Sequence, residues 1–484
     1  MLAKTGLLVV SNHKQIGEIL SSVQKQVKNT LYIQFLSALG EPLGSFYPKT
    51  FNAWPKFSQT IFNVYSQAAT HCHNLDVKVL LSGIKYNIPK IQTQKPIDLI
   101  IFDKYHSQED IDNFIKARIQ NITEEYNVLT IDTGDLEITE ENIDNDESVY
   151  KHTVLGGTFD RLHVAHKLLL SEAALRSNEI VTVGVTEENM LHTKILWELI
   201  EEIDVRVKSV VDFLKDICPE LKYNIIPISD PFGPAIMDPS MELIVVSKET
   251  VKGGEKINEI RQQKNLNPLK IAPVELVDEP NPNPIEEAKI SSSTTRGIAS
   301  GKSGVAKWLA ELGVLIINCD IVAHDLYKPG MPCHKLIVEH FGDDVLAANG
   351  EIDRKVLGGI VFGNSQLQKL NSLVWPAIAE EVNNIIRNTD KKVVVIEAAV
   401  LLTADWQKYC HEVWTTLVPR EEAINRLILR NALTEEQAKN RLDSQSPNTY
   451  YVKHANVVFC PLWPPEYTKQ QVDRAWELLQ KRLL

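Results

Sequence analysis

Short runs of β-branched and aliphatic residues recur along this chain, each separated from the next by a polar stretch long enough for a helix, and that alternation admits few folds. Strands joined by helices are parallel strands, because a helical crossover returns the chain to the end of the sheet where it began. In residues 1–145 the runs are Leu7 to Val10, Val77 to Leu81, Ile97 to Phe102 and Val128 to Ile131. A second series comprises Thr153-Val154-Leu155, Ile180 to Val185, Asn224 to Ile228, Glu242 to Val246 and Ile271 to Leu276. A third comprises Val314 to Ile317, Val393 to Glu397, Val413 to Val418 and Asn456 to Phe459. The expectation is an α/β protein of mostly parallel, doubly wound sheets, with no helical repeat or heptad array.

Length and composition divide the chain further. At 484 residues it exceeds what one hydrophobic core supports, which points to roughly three domains. Asp135 to Glu147 is rich in carboxylates and reads as a solvated linker, and a proline-rich turn runs from Glu279 to Pro284. The expected domains are therefore 1–145, 150–296 and 297–484. A net charge of -12 provides no basic face for nucleic acid, so any phosphate site must be a local pocket. The six cysteines, at 72, 218, 319, 333, 410 and 460, form no CxxC pair, which fits a reducing compartment. His71-Cys72-His73 lacks the ligand spacing of a zinc site. No apolar run has the length of a membrane span, and Met1 to Val10 is too short and too weakly charged for a targeting leader. A cytoplasmic enzyme without a transmembrane segment is the expectation.

The first chemical centre is Gly156-Gly157-Thr158-Phe159-Asp160-Arg161-Leu162-His163-Val164-Ala165-His166, where a strand ends and an apolar helix containing Leu168, Leu169, Leu170, Ala173 and Ala174 begins. Ligands of open α/β sheets bind there, outside the carboxyl ends of the strands. Paired glycines let backbone approach a ligand, and the free N–H groups of the helix start favour phosphate. Two histidines three apart fall on one helix face and can donate hydrogen bonds to a triphosphate. A lone pair of this kind is often structural. A second element, Ile290-Ser291-Ser292-Ser293-Thr294-Thr295-Arg296, brings hydroxyls and a guanidinium suited to the β- and γ-phosphates and to a leaving pyrophosphate.

The second centre is Gly297-Ile298-Ala299-Ser300-Gly301-Lys302-Ser303, followed by a helix with Val305, Leu309 and Leu312 on one face and Gly313 as its stop. Gly-Lys-Ser at a helix start is the phosphate-cradling end of a P-loop: Gly301 shapes the turn, Lys302 reaches the terminal phosphates and Ser303 ligates Mg2+. Asp320 and Glu397 are expected at strand ends, and Arg426, Arg430 and Arg441 on helices, an arrangement suited to phosphoryl transfer.

Taken together, residues 150–296 resemble the phosphopantetheine adenylyltransferase of eukaryotic bifunctional coenzyme A synthases. The matching stretches are the glycine–histidine motif, the serine run, Val183-Gly184-Val185-Thr186, Asp230-Pro231-Phe232-Gly233-Pro234 and Val245-Val246-Ser247-Lys248-Glu249-Thr250 with Gly253-Gly254. Residues 297–484 resemble the dephospho-coenzyme A kinase half of the same enzymes, through Asn318 to His324, Ile352 to Gly358, Val361-Phe362-Gly363 and Arg441 to Gln445.

The resemblance implies a Rossmann-like nucleotidyltransferase domain followed by a P-loop kinase domain. The substrates it implies are ATP, 4'-phosphopantetheine and dephospho-coenzyme A. It also implies that Thr158 holds the attacking phosphate, and that His163 and His166 bind the triphosphate, His166 mattering most in the transition state. Gly156, Gly157, Phe159, Asp160, Lys194, Ser291, Ser292, Ser293, Thr294 and Arg296 complete that site. In the kinase half, Asp320 accepts the proton of the ribose 3'-hydroxyl and Arg426, Arg430 and Arg441 clamp ATP. Mg2+ enters with ATP. For residues 1–145 the resemblance implies regulation or association with mitochondria, without a residue that carries either. A different nucleotidyltransferase of the same superfamily, or a nucleotide-binding scaffold with impaired catalysis, is the alternative.

The junction departs from the family in two ways. A P-loop needs four residues between its first glycine and Gly-Lys, whereas Gly297 supplies three and Arg296 stands in the glycine's place. The loop should also follow a buried strand, yet here it follows a serine run already assigned to the adenylyltransferase. The expectation is that on the order of 30 residues, a linker and one strand near the middle of the kinase sheet, are absent from this chain.

Overall fold

The computed structural model describes residues 2–11, 15–36, 57–72, 75–86, 88–132, 148–192, 194, 196–276, 302–361, 366–431, 434–443, 445–462 and 464–483. They form two compact units, Met1–Arg296 and Gly297–Leu484.

Among the described residues the first unit holds two five-stranded parallel sheets. One contains β1 (Ala3–Val10), β2 (Val27–Phe35), β3 (Asp76–Val79), β4 (Ile97–Phe102) and β5 (Ile122–Thr130), in the order β3-β2-β1-β4-β5. The other contains β6 (Tyr150–Gly157), β7 (Ser177–Thr186), β8 (Lys222–Ile228), β9 (Leu243–Ser247) and β10 (Lys270–Val274), in the order β10-β9-β6-β7-β8. Side chains alternate across a strand, so a central strand covered on both faces is apolar throughout. In β1, Leu8 and Val10 enter one core while Leu7 and Val9 enter another.

The first of these cores is shared by the two sheets. It joins Leu8, Leu31 and Ile101 of the first to Leu155, Val183 and Val245 of the second, through helices that include Phe57–His71, Val164–Leu175 and Ile203–Ile217. The far face of the second sheet is closed by Val154, Ile244, Ile257 and Leu269.

The second unit contains β11 (Leu315–Asn318), β12 (Val394–Glu397), β13 (Trp414–Thr416) and β14 (Val457–Phe459). Among the described residues they pair as two separate two-stranded parallel sheets, β11-β12 and β13-β14. Both pairs contribute to one core with the helices Lys302–Glu311 and Pro465–Leu483, through Ile316, Val395, Trp414 and Phe459 packed with Leu309 and Val472. No described helix is long and apolar enough to cross a membrane. The acidic stretch 135–147 and the turn 279–284 lie outside the described residues.

Candidate active sites

In the second sheet β6 is central, with β7 on one side and β9 on the other, so the crevice lies beyond Gly156 and Gly157 at its carboxyl end. A Cβ on Gly157 would lie 3.1 Å from the Phe159 ring, so the ring would have to give by a few tenths of an ångström, whereas one on Gly156 would make ordinary contacts. The loop that follows turns sharply. Phe159 (φ 50°) and Arg161 (φ 41°) both adopt the left-handed region, which costs non-glycine residues on the order of 1 kcal/mol each. Asp160, fully buried, holds that conformation by accepting the Glu201 N–H at 2.9 Å and the Arg161 guanidinium at 3.0 Å. Its position makes it an anchor of the loop.

His163 is the N-cap of the helix Val164–Leu175 and His166 lies in its first turn. Their rings stack with centroids 3.7 Å apart and planes 25° from parallel, and Phe159 packs on His166 at 5.2 Å. Thr158 is buried, with its hydroxyl 3.5 Å from that of Thr186 at the end of β7. Lys194 is partly buried in the loop beyond β7, its N–H on Leu191 O at 2.8 Å. The structure thus gathers Gly157, Thr158, Phe159, Asp160, His163 and His166 at one strand end. Ser291, Ser292, Ser293, Thr294, Arg296 and Gly301 lie outside the described residues.

One residue that holds this loop is not among those the sequence motif singles out. Arg206, 1% exposed, donates from Nη1 to Thr158 O at 2.8 Å, from Nη2 to Thr186 O at 2.9 Å and from Nε to Glu201 O at 2.7 Å. It pins the site loop to the end of β7. Burial holds its guanidinium below the ordinary value, against the opposing pull of Asp160, Glu201 and Glu202. The signal was present in the sequence, since Arg206 shares the apolar helix face of Val210, Phe213 and Ile217, where a charge needs a purpose.

In the second unit, parallel pairing sets Asn318 of β11 opposite Glu397 of β12 at their carboxyl ends. Glu397 accepts the Ser303 hydroxyl at 2.8 Å and the Asn318 amide at 2.9 Å, which ties the first turn of the helix Lys302–Glu311 to both strands. Asp320 does not end a strand: β11 stops at Asn318, whose side chain caps the next helix by accepting the N–H groups of Asp320 and Ile321. Asp320 stands exposed in the first turn of that helix.

Arg426 reaches Glu422 at 2.6 Å and the Pro461 carbonyl at 2.6 Å. Arg430 and Arg441 fall within the helices Arg420–Asn431 and Glu435–Asp443, with their side chains outside the described residues. All six cysteines are free thiols. Among the described residues no group of three or more His, Cys, Asp or Glu side chains could hold a metal ion.

Known proteins match along the same division. The Cytidylyltransferase-like family matches residues 154–298 and the Dephospho-CoA kinase family residues 293–460, so the two share 293–298. The dephospho-CoA kinase of Carboxydothermus hydrogenoformans is 37% identical over 182 residues, 37% of this chain and 88% of that protein. The dephospho-CoA kinase of Geobacter sulfurreducens is 36% identical over 186 residues, 38% of this chain and 94% of that protein. The chain belongs to the dephospho-CoA kinase family. A solved dephospho-CoA kinase from Campylobacter jejuni is 26% identical, covering 37% of this chain and 92% of that one, with a TM-score of 0.27. This member of the kinase family carries a cytidylyltransferase-like domain in the same chain. The combination answers to the last two steps of coenzyme A biosynthesis.

Proposed function

We propose that this chain transfers the adenylyl group of ATP to 4'-phosphopantetheine, releasing pyrophosphate, and that its second unit is built to phosphorylate the resulting dephospho-coenzyme A at the ribose 3'-hydroxyl. The observation that carries the reading is the stacked His163–His166 pair at a helix start beyond Gly157, in a chain that also matches dephospho-CoA kinases. A different nucleotidyltransferase would leave the kinase match unexplained.

In the first step a phosphate oxygen of phosphopantetheine attacks the α-phosphorus of ATP, and the bond to the β-phosphate breaks. No covalent enzyme intermediate is required, so the protein contributes position and charge stabilisation. Thr158 and the first N–H groups of the helix Val164–Leu175 orient the acceptor phosphate, with Lys194 beside them. His163 and His166 donate to the triphosphate, and Ser291 to Thr294 with Arg296 hold its far end.

In the second step Asp320 takes the proton of the 3'-hydroxyl while Lys302, Arg426, Arg430 and Arg441 hold ATP. The hydroxyl of Ser303 and the carboxylate of Glu397, 2.8 Å apart, are hard oxygen donors of the type Mg2+ prefers. The ion, bound with ATP, would neutralise charge between the phosphates. The proposed place of action is the cytoplasm, with the mitochondrial association that the family resemblance implies.

The junction limits the second step. The two family matches share residues 293–298, and Gly297 supplies only three residues before Gly301-Lys302 where a P-loop needs four. Both facts support a kinase lacking its central strand and first glycine, and hence slow. The test is purified protein with ATP, Mg2+ and 4'-phosphopantetheine, the products being resolved by chromatography. Accumulation of dephospho-coenzyme A is expected. Finished coenzyme A in quantity would refute the damaged junction, and no product at all would refute the adenylyltransferase.

A further inference from the structure

We infer that the N-terminal sheet is a working part of the adenylyltransferase site, with Asp76 acting through Lys167 as a positioning residue for the helix turn that carries His163 and His166. The inference rests on the function proposed above. Lys167 follows His166 directly, and its N–H donates to His163 O at 3.1 Å, so its placement and that of both histidines are set together. Its side chain points away from the crevice. The ammonium, on a residue 6% exposed, donates to Asp76 Oδ1 at 2.7 Å and to Val77 O at 3.0 Å, both in β3. The far end of the same helix is held from the segment that follows β3, because Lys85 Nζ, in the helix Ser82–Tyr86, donates to the carbonyl of Leu175, the last helical residue, at 3.0 Å.

Adhesion alone does not explain this arrangement. The two sheets already share an apolar core, and an ion pair whose carboxylate is 37% exposed adds little stability to it. What an ion pair adds is register, since its short directional bonds are satisfied at one axial setting of the helix. Burial depresses the Lys167 ammonium, with Asp76 opposing, and the Asp76 carboxyl remains below its ordinary range because Lys167 and Lys78 outweigh its own burial. Catalytic donors need placement within about 0.5 Å, and a helix free to slide would lose it.

The neighbouring helix Ile203–Ile217 is bound to the same domain chiefly through Asp216, with Lys78 shared between Asp216 and Asp76, the latter 3.5 Å away. Tyr32 Oη and Lys78 Nζ donate to Asp216 at 2.8 and 2.9 Å, and Leu81 N donates to Ile217 O at 2.8 Å. That gives a control at the same interface. In the full-length chain, D76N should lower kcat for dephospho-coenzyme A formation by about 10- to 100-fold with KM for ATP little changed, since a displacement of about 1 Å costs that much. Y32F, which loosens the interface at the other helix, should lower the melting temperature and leave kcat unchanged.

Should D76N fail to fold because Lys167 is left buried without its carboxylate, D76N/K167M, which buries no charge, should fold and show the same loss of kcat. Wild-type kcat in a folded D76N or D76N/K167M protein, or an equal loss in Y32F, would overturn the proposal. Wild-type protein measured first separates this from failure of the underlying activity, because inactive wild type removes the reaction and not the brace.

Discussion

The two sheets of the first unit are wound alike and equipped differently. In each, the first strand of the series is central, the next two lie to one side, and in the second sheet β9 and β10 occupy the flank that β4 and β5 occupy in the first. Both therefore open a crevice at the carboxyl end of the central strand. Beyond β6 that crevice is lined by glycine, two left-handed residues, a helix start and two imidazoles. Beyond β1 it holds Ser11, whose N–H and hydroxyl donate to the buried carboxylate of Asp103 at 2.7 and 2.9 Å. That carboxylate takes up the donors of Ser11, the residue that follows β1. Winding supplies a place for a ligand, and the side chains decide whether a ligand is taken.

Mutations test that contrast. The largest effect is expected at His166: H166A should reduce adenylyl transfer by about 10²- to 10³-fold, the loss of one preorganised donor, with the melting temperature nearly unchanged. A rate near wild type in steady-state assays would erase the distinction between the crevices. Next is Arg206, whose replacement by Met strips donors from three backbone carbonyls and should cost about 3 kcal/mol in urea unfolding, with a loss of rate from the loosened loop.

At the other crevice D103N removes charge from the two Ser11 bonds and should cost about 1 kcal/mol while leaving adenylyl transfer unchanged. A marked loss of rate there would mean that the first sheet also handles substrate.

The smallest effect concerns the amino end of β6, where His152 lies buried between the hydroxyls of Ser240 and Thr182, each at 2.8 Å. Burial lowers its pKa, against the opposing influence of Asp238 and Glu242. The unfolded chain then binds the proton more readily, so stability is whole above about pH 6.5 and declines as the pH falls below it, by at most about 1.4 kcal/mol per unit. H152Q should flatten the dependence of the urea midpoint between about pH 7 and 5. An unchanged slope would dismiss His152 as its source.

Much of the fold was legible from local pattern. Ile97 to Phe102 was read with the bounds the structure has, and the second series of runs found each of β6 to β10 to within a few residues. β2 was missed. Its run Val27–Phe35 opens with Lys28, Asn29 and Thr30, which interrupt the apolar pattern before Leu31. The residues of the glycine–histidine motif come together in the structure because they are contiguous in the chain. The sequence predicts a strand end at Asp320, whereas Asn318 ends β11 and caps the helix that follows.

What the sequence determined by itself is what depends on neighbours in the chain: the alternation of strand and helix, the parallel class of the sheets, and the loop from Gly156 to His166 with its donors. Tertiary structure alone decided which faces meet. Asp76 and Lys167 stand 91 positions apart, and Arg206 and Thr158 stand 48 apart. Neither pair has a local signal beyond a charged residue on an apolar face, because a partner for a buried charge is chosen by packing, after the elements that carry both have formed.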